Sequence, residues 1–480
     1  MTALLIRHPR ILLPDGEFLL GDILIQQGKI VQIAPEITAP DGSNIIDATG
    51  LTLLPGVIDP EVHFREPGLE HKENLFTASC ACAKGGVTSF LEMPNTKPLT
   101  TTQAPLDQKL QLASEKCLVN YGFFIGATPE NLPDLLTTNP VCGIKIFMGS
   151  SHGALLVSRE AEIEPIFARG DRLIAVHAED QARILQRRQE FKGITDPAIH
   201  SQIQDETAAL NATKLALKLS QKYQRRLHIL HLSTGIEAEF LRENKPSWVT
   251  AEVTPQHLLL NTEAYEKIGT LAQMNPPLRS PENNQILWQA LLDGVIDFIA
   301  TDHAPHTLEE KAKGYPNSPS GMPGVETSLP LMLTQAMAGK CSVSQVSSWM
   351  GTKPAEAYKI PNKGLIKTGY DADLVLVDLD NYRPVLREDL QTKCGWSPFE
   401  GWNLTGWPII TIVGGNIVYE RGKLNTEVRG KALQFGKNLL YSTSHTWEVQ
   451  SFLVLGVRSS EFGIRSSEFG VRRLDIRCTS

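Results

Sequence analysis

Five apolar runs in this chain end on residues that can bind a metal ion or move a proton. LPGVI leads into Glu61 and His63 within DPEVHFREPG. GIKIFMGSS carries Lys145, LIAVHAED ends on His177, LHILHLST on His231, and DFIATDHAPH on Asp302. Imidazole and carboxylate are donors that suit zinc and neighbouring divalent ions. A lone histidine at the end of an apolar run is more often a hydrogen-bonded structural residue than a ligand. Five coincidences at equivalent positions reverse that weighting. Lys145 is the outlier, because an ammonium is no ligand. Buried beside metal ions, a lysine can lose its proton and take up carbon dioxide. The resulting carbamate is a carboxylate on a long arm that can bridge two ions. The plainer reading is a lysine paired with an acid. Two ions sharing a hydroxide would generate a nucleophile near neutral pH and polarise a carbonyl. Asp302 could hold one ion and also carry the proton from attacking water to a leaving nitrogen.

A second set of residues suits a substrate. Alternation along a strand places Glu61, His63 and Arg65 on one face. Arginine grips carboxylates with two parallel hydrogen bonds. Asn95 lies in EMPNTKP, Asn275 in MNPPLR, and His306 in a proline-bearing loop four residues after Asp302. Both asparagines adjoin proline, so they also suit turns. Together the four could hold an anionic, amide-rich small molecule. His228 and His303 read as structural; His152 and His257 have no role that their neighbours suggest.

The elements that must position these residues alternate. Candidate strands are 57–63, 87–92, 121–126, 143–147, 172–177, 227–232, 248–253 and 297–302, with helical stretches such as 205–222 and 283–292 between them. Eight strands with crossovers fit a (β/α)8 TIM-type barrel better than an open doubly wound sheet. Residues 54–363 form that barrel in this reading. Chemistry in such barrels gathers at the C-terminal ends of the strands, where the reactive residues fall. Residues 1–53 and 364–436 are β-rich, with a hairpin expected at Gly414-Gly415-Asn416, and are expected to form one small β-sandwich from both chain ends. Residues 437–480 contain GVRSSEF followed by GIRSSEFG and read as a flexible tail without catalytic content.

A net charge of −7 gives no basic field for nucleic acid or an anionic membrane. No apolar run is long enough to span a bilayer, and the first residues lack the pattern of a signal peptide. Seven scattered cysteines form no CxxC pair, as expected for reduced thiols in a cytoplasmic protein.

VHFREPG, FLEMPNT, MNPPLR, ATDHAPHTLEEK and GLIKTGYDADLVLVDLD resemble the motifs of dihydroorotases, in the cyclic amidohydrolase group, over residues 3–435. HAED and HLST are shared with hydantoinases and allantoinases; HFREPG together with TDHAPH and GMPGVET points to dihydroorotase. The resemblance implies reversible, zinc-dependent cyclisation of N-carbamoyl-L-aspartate to dihydroorotate in pyrimidine synthesis. It implies His63 on one ion, His177 and His231 on the other, Asp302 as ligand and proton carrier, and Lys145 as the carboxylated bridge. Arg65, Asn95, Asn275 and His306 would contact the substrate, with backbone near Gly321 closing over the ring. A homo-oligomer and an association with aspartate transcarbamoylase belong to the same expectation. Glu61 departs from the pattern, which has histidine there. Glutamate can bind zinc through oxygen, but its charge weakens Lewis acidity and raises the pKa of bound water. Two zinc ions are expected if Glu61 binds and one if it does not. The alternatives are another cyclic amidase, acting on hydantoins or allantoin, and a catalytically impaired partner protein.

Overall fold

The computed structural model describes residues 3–150 and 153–436; the repeat-bearing tail 437–480 and His152 lie outside the described residues. Eight parallel strands follow the chain in order: β1 (Val57–Val62), β2 (Val87–Glu92), β3 (Asn120–Phe123, continued by Ile125–Gly126), β4 (Ile144–Phe147), β5 (Ile174–His177), β6 (Leu227–Ile229), β7 (Val249–Val253) and β8 (Phe298–Ile299). Each pairs with the next in parallel. The segment after β8 meets the end of β1 through a parallel bridge between Val62 and His303. There the His63 N–H donates to the His303 carbonyl at 2.8 Å. Asp59 strengthens the junction, accepting from the Thr301 N–H at 3.1 Å and its hydroxyl at 2.6 Å. Nearly all the strand residues are buried, because helices cover a parallel sheet from outside while side chains fill its interior.

The strands appear where the apolar runs predict them, but two end early. β6 stops at Ile229 and β8 at Ile299 rather than at 232 and 302. His231 has φ 36° and Asp302 φ 45°, in left-handed backbone that cannot continue a ladder. Helix boundaries follow their capping residues. The helix Glu206–Tyr223 begins after Asp205, whose carboxylate accepts from the Ala208 N–H at 3.0 Å. The helix Pro281–Leu292 starts two residues earlier than its apolar pattern suggests, with proline in the first turn. Cys80 and Cys82 lie buried on the helix Leu75–Lys84, and all six described cysteines are free.

Both chain ends build the remaining sheets. A seven-stranded sheet runs Phe18–Leu20, Arg10–Leu12, Thr52–Pro55, Leu374–Pro384, Asn403–Val413, Asn416–Glu420 and Lys423–Leu424. A four-stranded sheet runs Lys29–Ala34, Asp22–Gln26, Leu4–Arg7 and Asn44–Asp47. Ile6, Ile11, Ile25, Leu53, Leu374 and Ile410 share one buried core between strands of both. Thr52–Pro55 pairs with Arg10–Leu12 on one side and with Leu374–Val377 on the other, so it stitches the two ends together. Gly56 alone separates that strand from β1. A Cβ there would lie 2.2 Å from Thr88 Oγ1, so only glycine lets the chain pass. Among the described residues, no helix is long and apolar enough to cross a membrane.

Candidate active site and metal centre

At the C-terminal ends of the barrel strands lies a cavity of about 260 Å³. Glu61, His63, Arg65, Asn95, Lys145, His177, His231, Asn275, Asp302, His306 and Gly321 all line it. Strand geometry delivers only some of them. Glu61, Lys145 and His177 stand on β1, β4 and β5. Arg65, by contrast, lies beyond the end of β1 with φ 68°. It reaches the cavity through that left-handed turn, not through strand alternation. With Ser150, His231 and Asp302, four of the polar residues lining the cavity carry backbone that costs of order 1–3 kcal/mol each and must be held by its surroundings.

One group of donors is compact. Glu61, His63 and Asp302 each offer a ligand atom, and these atoms all lie within 4.8 Å of one another. His63 Nε2 is 3.1 Å from Asp302 Oδ1. Its Nδ1 is 2.7 Å from Asn95 Oδ1. That contact places the ring proton on Nδ1 and turns the Nε2 lone pair inward. A second group stands beside it. His177 Nδ1 is 2.9 Å from His231 Nε2, while His177 Nε2 meets Glu179 Oε2 at 2.7 Å. The same Glu179 oxygen accepts from the Ser150 hydroxyl at 2.6 Å. Glu61 joins the two groups: its Oε1 is 3.2 Å from Lys145 Nζ and 3.7 Å from His231 Nε2. Lys145 Nζ also lies 4.6 Å from the Phe147 ring centre.

The electrostatics suit a cation. Burial lowers the His63 pKa despite the opposing pull of Asp302. Burial lowers that of His231 far more, reinforced by His177 and Lys145. Both imidazoles therefore stay neutral with a lone pair free to bind. Burial raises the Glu61 pKa well above the carboxylate range, Lys145 opposes the rise, and Glu252 adds to it. Glu61 Oε2 and His231 Nδ1 are buried with no hydrogen-bond partner among the described residues. Donors this concentrated and under-satisfied fit a divalent ion, with Glu61 as an oxygen ligand.

The cavity also has a cationic side. Arg65 Nε donates to the Pro305 carbonyl at 3.1 Å, and one terminal nitrogen lies 3.3 Å from His306 Nε2. Burial lowers the Arg65 pKa to about 10, which leaves it charged. His306 is held well below its ordinary pKa, first by burial and then by Arg65. Asn275 Oδ1 is 2.8 Å from His200 Nε2, so its amide nitrogen is the end left for a ligand. Gly321 differs from expectation. Its N–H donates to the Gln273 carbonyl at 2.9 Å and its own carbonyl accepts from Lys311 at 3.0 Å. It borders the cavity with its N–H already committed. A Cβ there would meet the Ala304 carbonyl at 2.5 Å, so a side chain is excluded from that wall.

Three further buried histidines, His228, His257 and His303, make packing and hydrogen-bond contacts. His228 stacks on Phe298 at 4.7 Å, with Nε2 2.9 Å from buried Glu252. His303 Nδ1 accepts from the Gly324 and Val325 N–H groups at 3.1 and 3.3 Å. His257 spans Thr254 and the Pro276 carbonyl. Sequence reasoning missed Glu179, Ser150, His200 and Ser320. Glu179 had a signal: it stands two residues after His177 in HAED, the spacing that linked Arg65 to His63. His200 and Ser320 had none, because each acts on a segment distant in sequence.

Comparison with known proteins agrees with this geometry. Residues 52–418 match the model of the amidohydrolase family. A dihydroorotase of Methanosarcina acetivorans is 38% identical over 86% of this chain and 92% of its own. One of Bacillus subtilis is 34% identical over 88% of this chain and 99% of its own. Among solved structures, an L-hydantoinase (dihydropyrimidinase) from Arthrobacter aurescens superposes with a TM-score of 0.86 at 31% identity, covering 90% of this chain and all of that one. A dihydropyrimidinase from Brevibacillus agri gives 0.84 at 27% identity, covering 90% and 99%.

Proposed function

Given that the chain belongs to the amidohydrolase family, we propose that it is a dihydroorotase, closing N-carbamoyl-L-aspartate to dihydroorotate and opening it again. The observation that carries this reading is the buried Arg65 guanidinium, which lines the same cavity as the metal donors together with His306 and Asn275. A hydantoin or allantoin offers no ring carboxylate, and would leave that fork without a carboxylate to grip. Curated relatives that are 34–38% identical to this chain are named dihydroorotases, in line with the same reading.

Glu61, His63 and Asp302 would hold one divalent ion; His177, His231 and Lys145, as its carbamate, would hold a second. Bound there, ions of the zinc type supply a Lewis acid for the ring carbonyl and a hydroxide nucleophile near neutral pH. The chain's own residues do the rest. Arg65 binds the substrate carboxylate bidentately and fixes the ring against the cavity wall. Asn275, turned by His200, offers its amide nitrogen to a substrate oxygen. Asp302 takes the proton of the attacking water and delivers it to the ring nitrogen as the C–N bond breaks; in synthesis the proton retraces that path. Asn95, 2.7 Å from His63 Nδ1, holds that ring so that Nε2 faces Asp302.

A substrate panel on purified protein tests this. Turnover of dihydroorotate and N-carbamoyl-L-aspartate is expected. Turnover of hydantoin or allantoin without dihydroorotate would sink the reading. Metal content per chain, measured on the same sample, separates an active two-ion enzyme from an impaired relative. A homo-oligomer, or a complex with aspartate transcarbamoylase, would show in the same preparation by sizing.

A further inference from the structure

We propose that Lys311 is a positioning residue for substrate recognition, clamping the loop 318–321 to the segment that carries Asn275. The inference rests on the proposed function only for the substrate used in its kinetic arm. Lys311 is 1% exposed, and among the described residues its ammonium is bonded to no carboxylate. Its three ammonium protons go instead to three backbone carbonyls: Gln273 at 3.0 Å, Pro319 at 2.9 Å and Gly321 at 3.0 Å. Its other neighbour is the Trp396 ring, 5.9 Å away, and a buried charge held by carbonyls and a ring face, with no counter-ion, is costly to maintain. Burial accordingly brings its pKa down to about 7. Such a residue needs a reason beyond stability.

The geometry supplies one. The carbonyls belong to two segments far apart in sequence, and both border the cavity. Gln273 lies two residues before Asn275; Pro319 and Gly321 flank Ser320. The clamp is reinforced where the Gly321 N–H meets the Gln273 carbonyl. From the opposite side His200 Nε2 touches Asn275 Oδ1 at 2.8 Å and lies 3.4 Å from the Ser320 hydroxyl. The held loop then acts on the cationic wall. Lys72 Nζ lies 3.0 Å from His306 Nδ1, so the ring proton sits on Nε2 and is donated to the Ser320 carbonyl at 3.0 Å; Arg65 packs 3.3 Å from the ring so oriented. Lys311 thus sets the distance between the two walls that an anionic ring must fit between, without touching the ligand itself. Held in advance, these walls cost the ligand no ordering entropy on binding.

Lys311→Met keeps the side-chain bulk and removes the charge and all three donors. Amide hydrogen exchange at Gly321 in the ligand-free variant is the direct readout. Protection is expected to fall on the order of tenfold or more, since local opening follows the bonds that resist it. In turnover of dihydroorotate, KM is expected to rise on the order of tenfold, with kcat within about threefold, the mark of lost binding without lost chemistry. Unchanged protection at Gly321 would overturn the clamp. A fall in kcat at constant KM would overturn its role in recognition. If Lys311→Met does not fold, the unmodified protein decides: a Gly321 amide that exchanges as fast as an unprotected peptide excludes a preset loop. The exchange arm uses no substrate, so inertness toward dihydroorotate would refute the proposed activity and leave the clamp standing.

Discussion

Arg65→Lys separates charge from geometry at the cationic wall. Lysine keeps the positive charge but replaces a planar fork with a single ammonium. In the structure Arg65 is fixed by its Nε–H bond to Pro305 and packs beside the His306 ring. The fork is therefore aimed before substrate arrives, and a lysine would be neither anchored nor bidentate. Loss of one hydrogen bond to a charged group costs about 1.5–3 kcal/mol. At 1.4 kcal/mol per factor of ten, KM for dihydroorotate should rise about 10- to 100-fold. The reacting centre is untouched, so kcat should stay within a few-fold. Arginine and lysine carry the same penalty at φ 68°, so backbone strain cancels from the comparison. Steady-state kinetics in both directions measure the effect, with thermal unfolding as the folding control. A KM within about twofold of the unsubstituted enzyme would refute bidentate carboxylate recognition by Arg65. Arg65→Met, which loses the charge as well, should be worse still.

Asp302→Asn keeps the shape of the side chain but cannot carry the proton. Turnover should fall by about 10²–10⁴-fold, and substantial residual activity would exclude the proton role. Removing metal with a chelator should abolish activity and lower the unfolding temperature, both restored by zinc, because the ion binds only the folded state; full activity after chelation would contradict the metal-centre reading. Glu61→Ala should lower the metal content per chain, measured by elemental analysis, and an unchanged content would remove Glu61 from the ligand set. The pH dependence of stability has a defined sign at His257, whose pKa burial lowers to about 4. Between pH 6.5 and 4 the unfolded chain binds this proton and the folded chain does not, so stability falls as pH falls, by roughly 1 kcal/mol per unit. Asp59, raised by burial to about 7, and Glu252, to about 8, act in the opposite sense. His257→Gln should therefore lose less stability on acidification than the unsubstituted protein in matched denaturant melts; parallel pH profiles would refute the assignment.

The amino-acid sequence determined what local rules can reach. Apolar runs of strand length named the eight barrel strands, and polar residues near the ends of five of them put Glu61, His63, Lys145, His177, His231 and Asp302 at one end of the barrel. That worked because side-chain alternation and the placement of barrel chemistry at strand ends are properties of single elements. The Arg65 reading came out right in place and wrong in cause. Alternation cannot foresee a left-handed turn, since the turn is held by Pro305 and His306, some 240 positions along the chain. Tertiary structure alone decided the rest. It put Glu61 on β1 beside Lys145 on β4, committed the Gly321 N–H to Gln273, and set His200 and Lys311 behind the two substrate-facing loops. Each of these is a contact between segments that become neighbours only when the strands close, so its energy depends on distances that no local pattern encodes. Glu61 shows the division most clearly. Its sequence marks it as a departure from the family pattern, and only the fold places its carboxylate between the two donor groups, where a missing imidazole can be replaced by an oxygen ligand.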